Sequence, residues 1–266
     1  MEKTYQDLLD KYKLTNIIKS ASSNIVAKVK HNKTTYIAKI MVDRSDPLIQ
    51  QTLETEIQAL KYFTKLKCPL FIKYVDHFQN IVIMEYIKGK LLIEYQHALK
   101  SRKWWISLLQ QLIWGIYLLE EKRILHNDCW DANIILCRID GDHILGEDEF
   151  PIVNAGFIIK IIDYQYMNQY VRDPVIRSDY VMTKLADYDA KKRRLGWSSK
   201  FHVGGDLNQI LGILSKYEHI PLDIKNVLNK LVVKSGLKDF PYAITVDNKL
   251  TSGKYLMENW EELLGE

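Results

Sequence analysis

Between Trp104 and Leu136 the chain joins a periodic apolar stretch to a polar loop and then to an aliphatic run. Trp105, Leu108, Leu109, Leu112, Ile113, Ile116 and Leu119 recur at spacings of three and four, which predicts an amphipathic helix from Trp104 to Glu121. Ile124 and Leu125 follow, then His126-Asn127-Asp128-Cys129-Trp130-Asp131-Ala132-Asn133, then Ile134, Ile135 and Leu136. A loop pinned at both ends by buried elements holds its polar groups in fixed positions. Asp128 and Asn133 stand five residues apart in it. A carboxylate that orients a hydroxyl and an amide oxygen that holds a cation, joined by a second aspartate downstream, suit phosphoryl transfer. Taken alone, the stretch also fits a turn whose Asx side chains bond their own backbone.

The rest of the chain narrows the classes. With 266 residues and 47% hydrophobic content it can bury a sizeable core, as one large domain or two lobes. Its 37 basic and 33 acidic residues are too balanced to demand a nucleic-acid or membrane partner. Cys68, Cys129 and Cys137 have neither the number nor the spacing of a disulfide framework or zinc site, and read as reduced thiols of an intracellular protein. The opening MEKTYQDLLDKYK lacks the apolar stretch of a signal peptide, and no later run reaches membrane-spanning length. A cytosolic or nuclear location is expected.

Residues 14–42 alternate apolar runs with polar turns, which predicts three antiparallel strands containing Ile17-Ile18, Ile25 to Val29 and Tyr36 to Ile40. Lys39 stands inside the third strand between apolar neighbours. By itself it fits a snorkelling edge-strand lysine. Asp46-Pro47 reads as a helix start and the helix should run to about Lys65. On that helix Glu56 shares the apolar face with Leu53 and Leu60, whereas Glu54 lies among glutamines. An inward carboxylate needs a cation, and Lys39 is the nearby candidate. Two further strands are expected at Phe71 to Phe78 and Ile81 to Met84 around a Gln79-Asn80 turn, and Met84-Glu85-Tyr86-Ile87-Lys88-Gly89 reads as a lobe boundary.

A strand lysine, an inward helix glutamate, the linker MEYIKG, the loop HNDCWDAN and finally Ile161-Ile162-Asp163-Tyr164-Gln165, in that order, resemble the successive signatures of the eukaryotic protein kinase superfamily. The resemblance covers about Ile17 to Asp206. Asp163-Tyr164-Gln165 is similar to the D-Y-T of haspin-type kinases, and His126-Asn127-Asp128 is similar to divergent kinases of large DNA viruses. The resemblance implies an α+β, two-lobed fold: an N-lobe over 1–84 with an antiparallel sheet and one helix, a hinge at 85–89, and a mainly helical, abbreviated C-lobe over 90–266. It implies transfer of the ATP γ-phosphate to protein Ser or Thr hydroxyls, with Mg²⁺ or Mn²⁺. Lys39 would contact the phosphates and pair with Glu56; Asp128 would orient and deprotonate the hydroxyl; Asn133 and Asp163 would hold metal. Main-chain groups of Glu85, Tyr86 and Ile87 would bind adenine, Met84 would guard the pocket behind it, and Ala21, Asn24 and Val26 would cover the nucleotide. Asp206 would accept hydrogen bonds from the catalytic-loop backbone and fix it.

Several positions depart from that pattern. The expected glycine-rich loop is replaced by Lys19, Ala21 and Asn24 ahead of Val26, so backbone freedom is reduced and nucleotide affinity should be weakened. Asn127 replaces the arginine that pairs with a phosphate in other members, so activity should not depend on that device. Trp130 takes the place of a lysine, and Asp131 reads as a turn residue. About thirty residues separate Asn133 from Asp163, and GDHILGEDEF within them reads as an acidic surface insertion, a solvated loop before a site, although its Glu147, Asp148 and Glu149 could bind a basic substrate; the protein substrate itself is expected to be basic or nucleic-acid-associated. The run Lys191 to Arg194 reads as a solvated helix face, and direct nucleic-acid binding is not expected. The A-P-E triplet is missing, which leaves open a kinase-like small-molecule phosphotransferase; the glycine-free loop and Trp130 leave open a pseudokinase scaffold that binds a partner.

Overall fold

The computed structural model describes residues 8, 10–20, 24–42, 47–140, 145–147, 150–152, 155–178, 200–234 and 248–264. Ala21, the Asp46 cap, Asp148, Glu149 and the Lys191 to Arg194 run lie outside the described residues.

The N-terminal half of the site rests on a five-stranded antiparallel sheet in the order β1-β2-β3-β5-β4. Its strands are β1 (Lys13–Ser20), β2 (Asn24–His31), β3 (Thr34–Met41), β4 (Tyr74–Phe78) and β5 (Ile81–Glu85). The β2–β3 turn is closed by the His31–Thr34 pair, and Asn32 takes φ +54°, a left-handed conformation that asparagine tolerates. Helix α1 (Pro47–Leu66) packs Leu53, Ala59, Leu60 and Phe63 inward; Glu56 is buried with them while Glu54 is exposed. The expected strand from Phe71 begins only at Tyr74. Phe71 instead makes an isolated parallel bridge to Ile161, because the Leu70 carbonyl accepts the Ile161 N–H and the Tyr164 hydroxyl accepts the Ile72 N–H.

The second lobe is built on α2 (Arg102–Glu120), capped by the Ser101 hydroxyl, which accepts the Trp104 N–H at 3.2 Å. The apolar stripe is where the periodicity places it, but the helix is buried well beyond that stripe: Ser107, Gln110 and Gln111 are also inside. A three-stranded antiparallel sheet in the order β11-β8-β6 explains this. It comprises β6 (Gly89–Leu91), β8 (Ile134–Arg138) and β11 (Phe157–Ile161), while β7 (Ile124–Leu125) pairs with β12 (Asn168–Gln169). Gln111 satisfies the outer edge of β11, donating to the Phe157 carbonyl at 3.2 Å and accepting the Ile159 N–H at 2.8 Å. Gly89 lies so close to β8 that a Cβ would strike the Leu136 carbonyl. The GDHILGEDEF stretch is not simply a loop: β9 (Leu145–Glu147) and β10 (Phe150–Ile152) form an antiparallel hairpin that buries Ile152.

Helices α3 (Gly205–Leu214), α4 (Leu222–Leu231), α5 (Gly253–Glu258) and α6 (Trp260–Leu264) complete the described C-terminal part. Gly204, at φ +73°, precedes α3, and a Cβ there would collide with the Asn248 carbonyl. This is a small two-lobed, α+β, kinase-like fold with an antiparallel N-terminal sheet. The three cysteines are free, and none of the described helices is long and apolar enough to cross a membrane.

Candidate active site

A cleft of about 590 Å³ opens between the two sheets. Asn24, Val26, Lys39, Met84, Glu85, Tyr86, Ile87, Asn133 and Asp163 all line it, joined by Lys19, Ile72, Ile135 and Ile162. Apolar walls with a few converging polar groups are the usual make-up of a small-molecule site.

On the β3 side, Lys39 Nζ lies 2.8 Å from Glu56 Oε2 and 2.8 Å from Asp163 Oδ1. Lys39 and Glu56 are buried on facing elements, so the cation sits between two carboxylates. Burial opposes the lysine charge, yet Asp163 and Glu56 outweigh it and hold Lys39 above the ordinary lysine pKa. Burial lifts the Glu56 carboxyl against the pull of Lys39, while Lys39 overcomes burial to hold Asp163 below the usual range. The Lys19 charge adds to that lowering.

The opposite wall is the HNDCWDAN loop. Its first residues are fixed from behind by Asp206 on α3, which accepts the His126 N–H at 2.6 Å and the Asn127 N–H at 3.1 Å. Burial pushes Asp206 up to about 7 despite these two donors. Fully buried His126 has Nε2 3.0 Å from the Ile162 carbonyl, and burial lowers its pKa to about 4, so the neutral ring donates there. Asn127 and Asp163 both take φ +64°, the left-handed region that Asn and Asp enter more readily than other non-glycine residues.

Within the loop, Asn133 Nδ2 donates to Asp128 Oδ2 at 2.8 Å and to the Asp128 carbonyl at 2.9 Å. The amide nitrogen is thereby committed, which turns the other end of the amide, its oxygen, into the group available to a cation. Burial and the Asp163 charge push Asp128 up to about 6, against hydrogen bonds from Asn133 and the Trp130 indole. Asp128 itself is not among the cleft-lining residues; partly exposed, it is hydrogen-bonded to Asn133, which is.

Three contacts were not legible as such in the sequence. Asp131, expected to be a turn residue, is buried and accepts the Tyr217 hydroxyl at 2.8 Å. Nothing local marks this pair, because 86 residues separate its members. Tyr217→Phe is expected to cost about 1–3 kcal/mol by leaving that carboxylate short of a donor, read as a lower urea midpoint with an unchanged slope. Trp130, read only as a lost cation, hydrogen-bonds Asp128. Lys19, noted as a missing glycine, reaches the cleft. The Glu85 N–H is already donated to the Lys73 carbonyl at 3.1 Å, and its side chain binds Lys160 Nζ at 3.1 Å, tying the linker to β11.

Among curated proteins, the serine/threonine-protein kinase ATG1c of Arabidopsis thaliana is 25% identical over 183 residues, covering 65% of this chain and 24% of that protein. The serine/threonine-protein kinase ATG1b of the same plant is 26% identical over 168 residues, covering 60% of this chain and 22% of that protein. This similarity supports the protein-kinase superfamily. The chain spans about a quarter of the length of these kinases. No family model matches it.

Proposed function

We propose that the chain is an ATP- and Mg²⁺-dependent protein kinase acting on Ser or Thr hydroxyls, a divergent member akin to haspin-type and large-DNA-virus kinases. The observation that carries the reading is the convergence, across one cleft, of Lys39 held by Glu56 and Asp163 with an Asp128–Asn133 hydrogen-bonded pair. The donors fit magnesium: Asn133 and Asp163 offer hard oxygens, and magnesium keeps few protein ligands and completes its shell with phosphate and water. Among the described residues no group of three or more His, Cys, Asp or Glu could hold a metal ion. When bound, the magnesium nucleotide supplies the phosphoryl group and neutralises charge developing on its oxygens.

In this reading Lys39 presents its ammonium to the phosphates, and Glu56 keeps it from collapsing wholly onto Asp163. Main-chain groups of Glu85 to Ile87 hold the base; commitment of the Glu85 N–H narrows the donors to Tyr86 and Ile87. Asp128 orients the acceptor hydroxyl and takes its proton, held in place by Asn133 and Trp130. Asp206 keeps the loop from relaxing. The lobes divide as 1–84 and 90–266 around the linker 85–89. The acidic residues Glu147, Asp148 and Glu149 of the sequence favour a basic protein substrate.

Purified protein incubated with labelled ATP, Mg²⁺ and mixed proteins or small alcohols tests the reading, with mass-spectrometric mapping of modified residues. Label on protein Ser or Thr is expected. Label on alcohols alone would reassign the chain to small-molecule phosphotransfer, and no label with no metal-dependent thermal shift would leave a scaffold. Because the base works deprotonated, kcat/KM should rise with pH through an apparent pKa near the Asp128 value of about 6. Asp163 would raise Asp128 less if its charge were engaged by a bound metal, so the limb in kcat should lie lower. A kcat/KM profile flat between about pH 5 and about pH 8 would exclude Asp128 as the base.

A further inference from the structure

The segment after Asp163 turns back onto α1, beside Glu56. The Thr55 hydroxyl, fully buried, is 2.9 Å from the Arg177 carbonyl and shares its one proton with the Gln51 carbonyl of its own helix, also at 2.9 Å, and Gln58 Oε1 accepts the Arg177 N–H at 3.1 Å. One backbone unit is thus gripped from both sides by residues flanking Glu56. The same segment is tied to the other wall of the cleft. Gln169 N–H donates to the Ile176 carbonyl at 3.0 Å, and β12, which contains Gln169, pairs with β7 immediately before His126. Asn127 Nδ2 also holds the Tyr166 carbonyl at 2.8 Å.

We infer that Thr55 and Gln58 are positioning residues: by holding the Arg177 backbone they latch α1 to the catalytic-loop side of the cleft and keep Glu56 turned toward Lys39. The latch consists of neutral hydrogen bonds between side chains and backbone, so it needs no phosphate on the segment. Thr55 and Gln58 lie one residue before and two after Glu56, so any rotation of α1 that withdraws Glu56 also breaks both contacts. Conversely, loss of the contacts leaves α1 joined to the segment after Asp163 by the Tyr164 backbone hydrogen bond to Glu56 and the Phe63–Tyr164 ring contact, which grip it nearer Asp163 than Arg177 does. The catalytic consequence rests on the kinase reading above; the mechanical coupling does not.

The test uses the full chain with Thr55→Val, Gln58→Ala and Thr55→Ser. Amide exchange along α1 should quicken about tenfold or more in the first two variants and return toward wild type in Thr55→Ser, which keeps the hydroxyl. Affinity for ATP with Mg²⁺ should fall about tenfold, as expected when only a fraction of molecules holds the competent state, while the global unfolding midpoint changes little. Gln58 is half-buried, so Gln58→Ala keeps the test open if Thr55→Val does not fold. Wild-type α1 exchange with unchanged nucleotide affinity in both variants would overturn the latch, as would equal losses in Thr55→Ser and Thr55→Val. Phosphatase treatment of the wild-type chain should alter neither exchange nor affinity, and loss of either would also overturn it. If the wild-type chain transfers no phosphoryl group, the kinase reading fails, and the exchange measurement still decides the latch.

Discussion

Asp128→Asn is expected to lower phosphoryl transfer by at least about 10²-fold, the usual scale for a positioned general base, while nucleotide affinity stays within about twofold. The substitution is nearly isosteric. The new amide oxygen can still accept from Asn133 Nδ2, and the Asn133 bond to the main-chain carbonyl at 2.9 Å does not involve the changed group. What disappears is the negative charge and its capacity to take a proton. Because the side chain does not line the cleft, its change should leave the nucleotide contacts in place. Single-turnover transfer with labelled ATP, beside calorimetric binding of the unreactive nucleotide, separates the two quantities. Equal labelling by variant and wild type would remove Asp128 from the mechanism; a matched loss of binding and transfer would make it a folding residue.

How far the sequence reveals this arrangement depends on whether a residue's partner is implied by its own neighbourhood. Lys39 and Glu56 are each anomalous in an apolar pattern, and the anomaly of each is resolved by the other; their 2.8 Å pairing follows from that logic. The Asp128–Asn133 loop is equally legible because both its residues sit within one turn of chain. Helix α2 shows the limit. Its stripe of leucines and isoleucines gives the helix and one face, but Gln111 is buried because β11, 46 residues away, needs its edge satisfied. Phe71 fails for the same reason: its run reads as strand, yet Ile161 and Tyr164 claim its neighbours' backbone groups first. Asp131 is misjudged because local turn propensity is visible and Tyr217 is not. Polar residues with distant partners are where a local reading runs out, since tertiary contacts override propensity without leaving a periodic trace.

Lys39→Met should produce the largest combined loss, abolishing measurable nucleotide binding and lowering stability by about 3–5 kcal/mol, the scale for removing one member of a buried ion pair. One ammonium lies 2.8 Å from carboxylates on both α1 and the segment after β11, so its removal leaves two like charges facing each other with nothing between. Glu56 is the more deeply buried and already has a raised pKa; without Lys39 it should rise further and be protonated more readily. A carboxyl whose folded pKa exceeds its unfolded value favours the folded state at low pH and loses that advantage as pH rises through the interval between the two. The variant's deficit should therefore be smallest on mild acidification and grow toward neutral pH, which urea titrations at several pH values would show. Replacing Glu56 with glutamine in the same chain removes the stranded charge, so Lys39→Met/Glu56→Gln should be more stable than Lys39→Met alone while still failing to bind nucleotide. Additive destabilisation in the double variant would mean that the two side chains are not energetically coupled, and the electrostatic account of the cleft would fall with it.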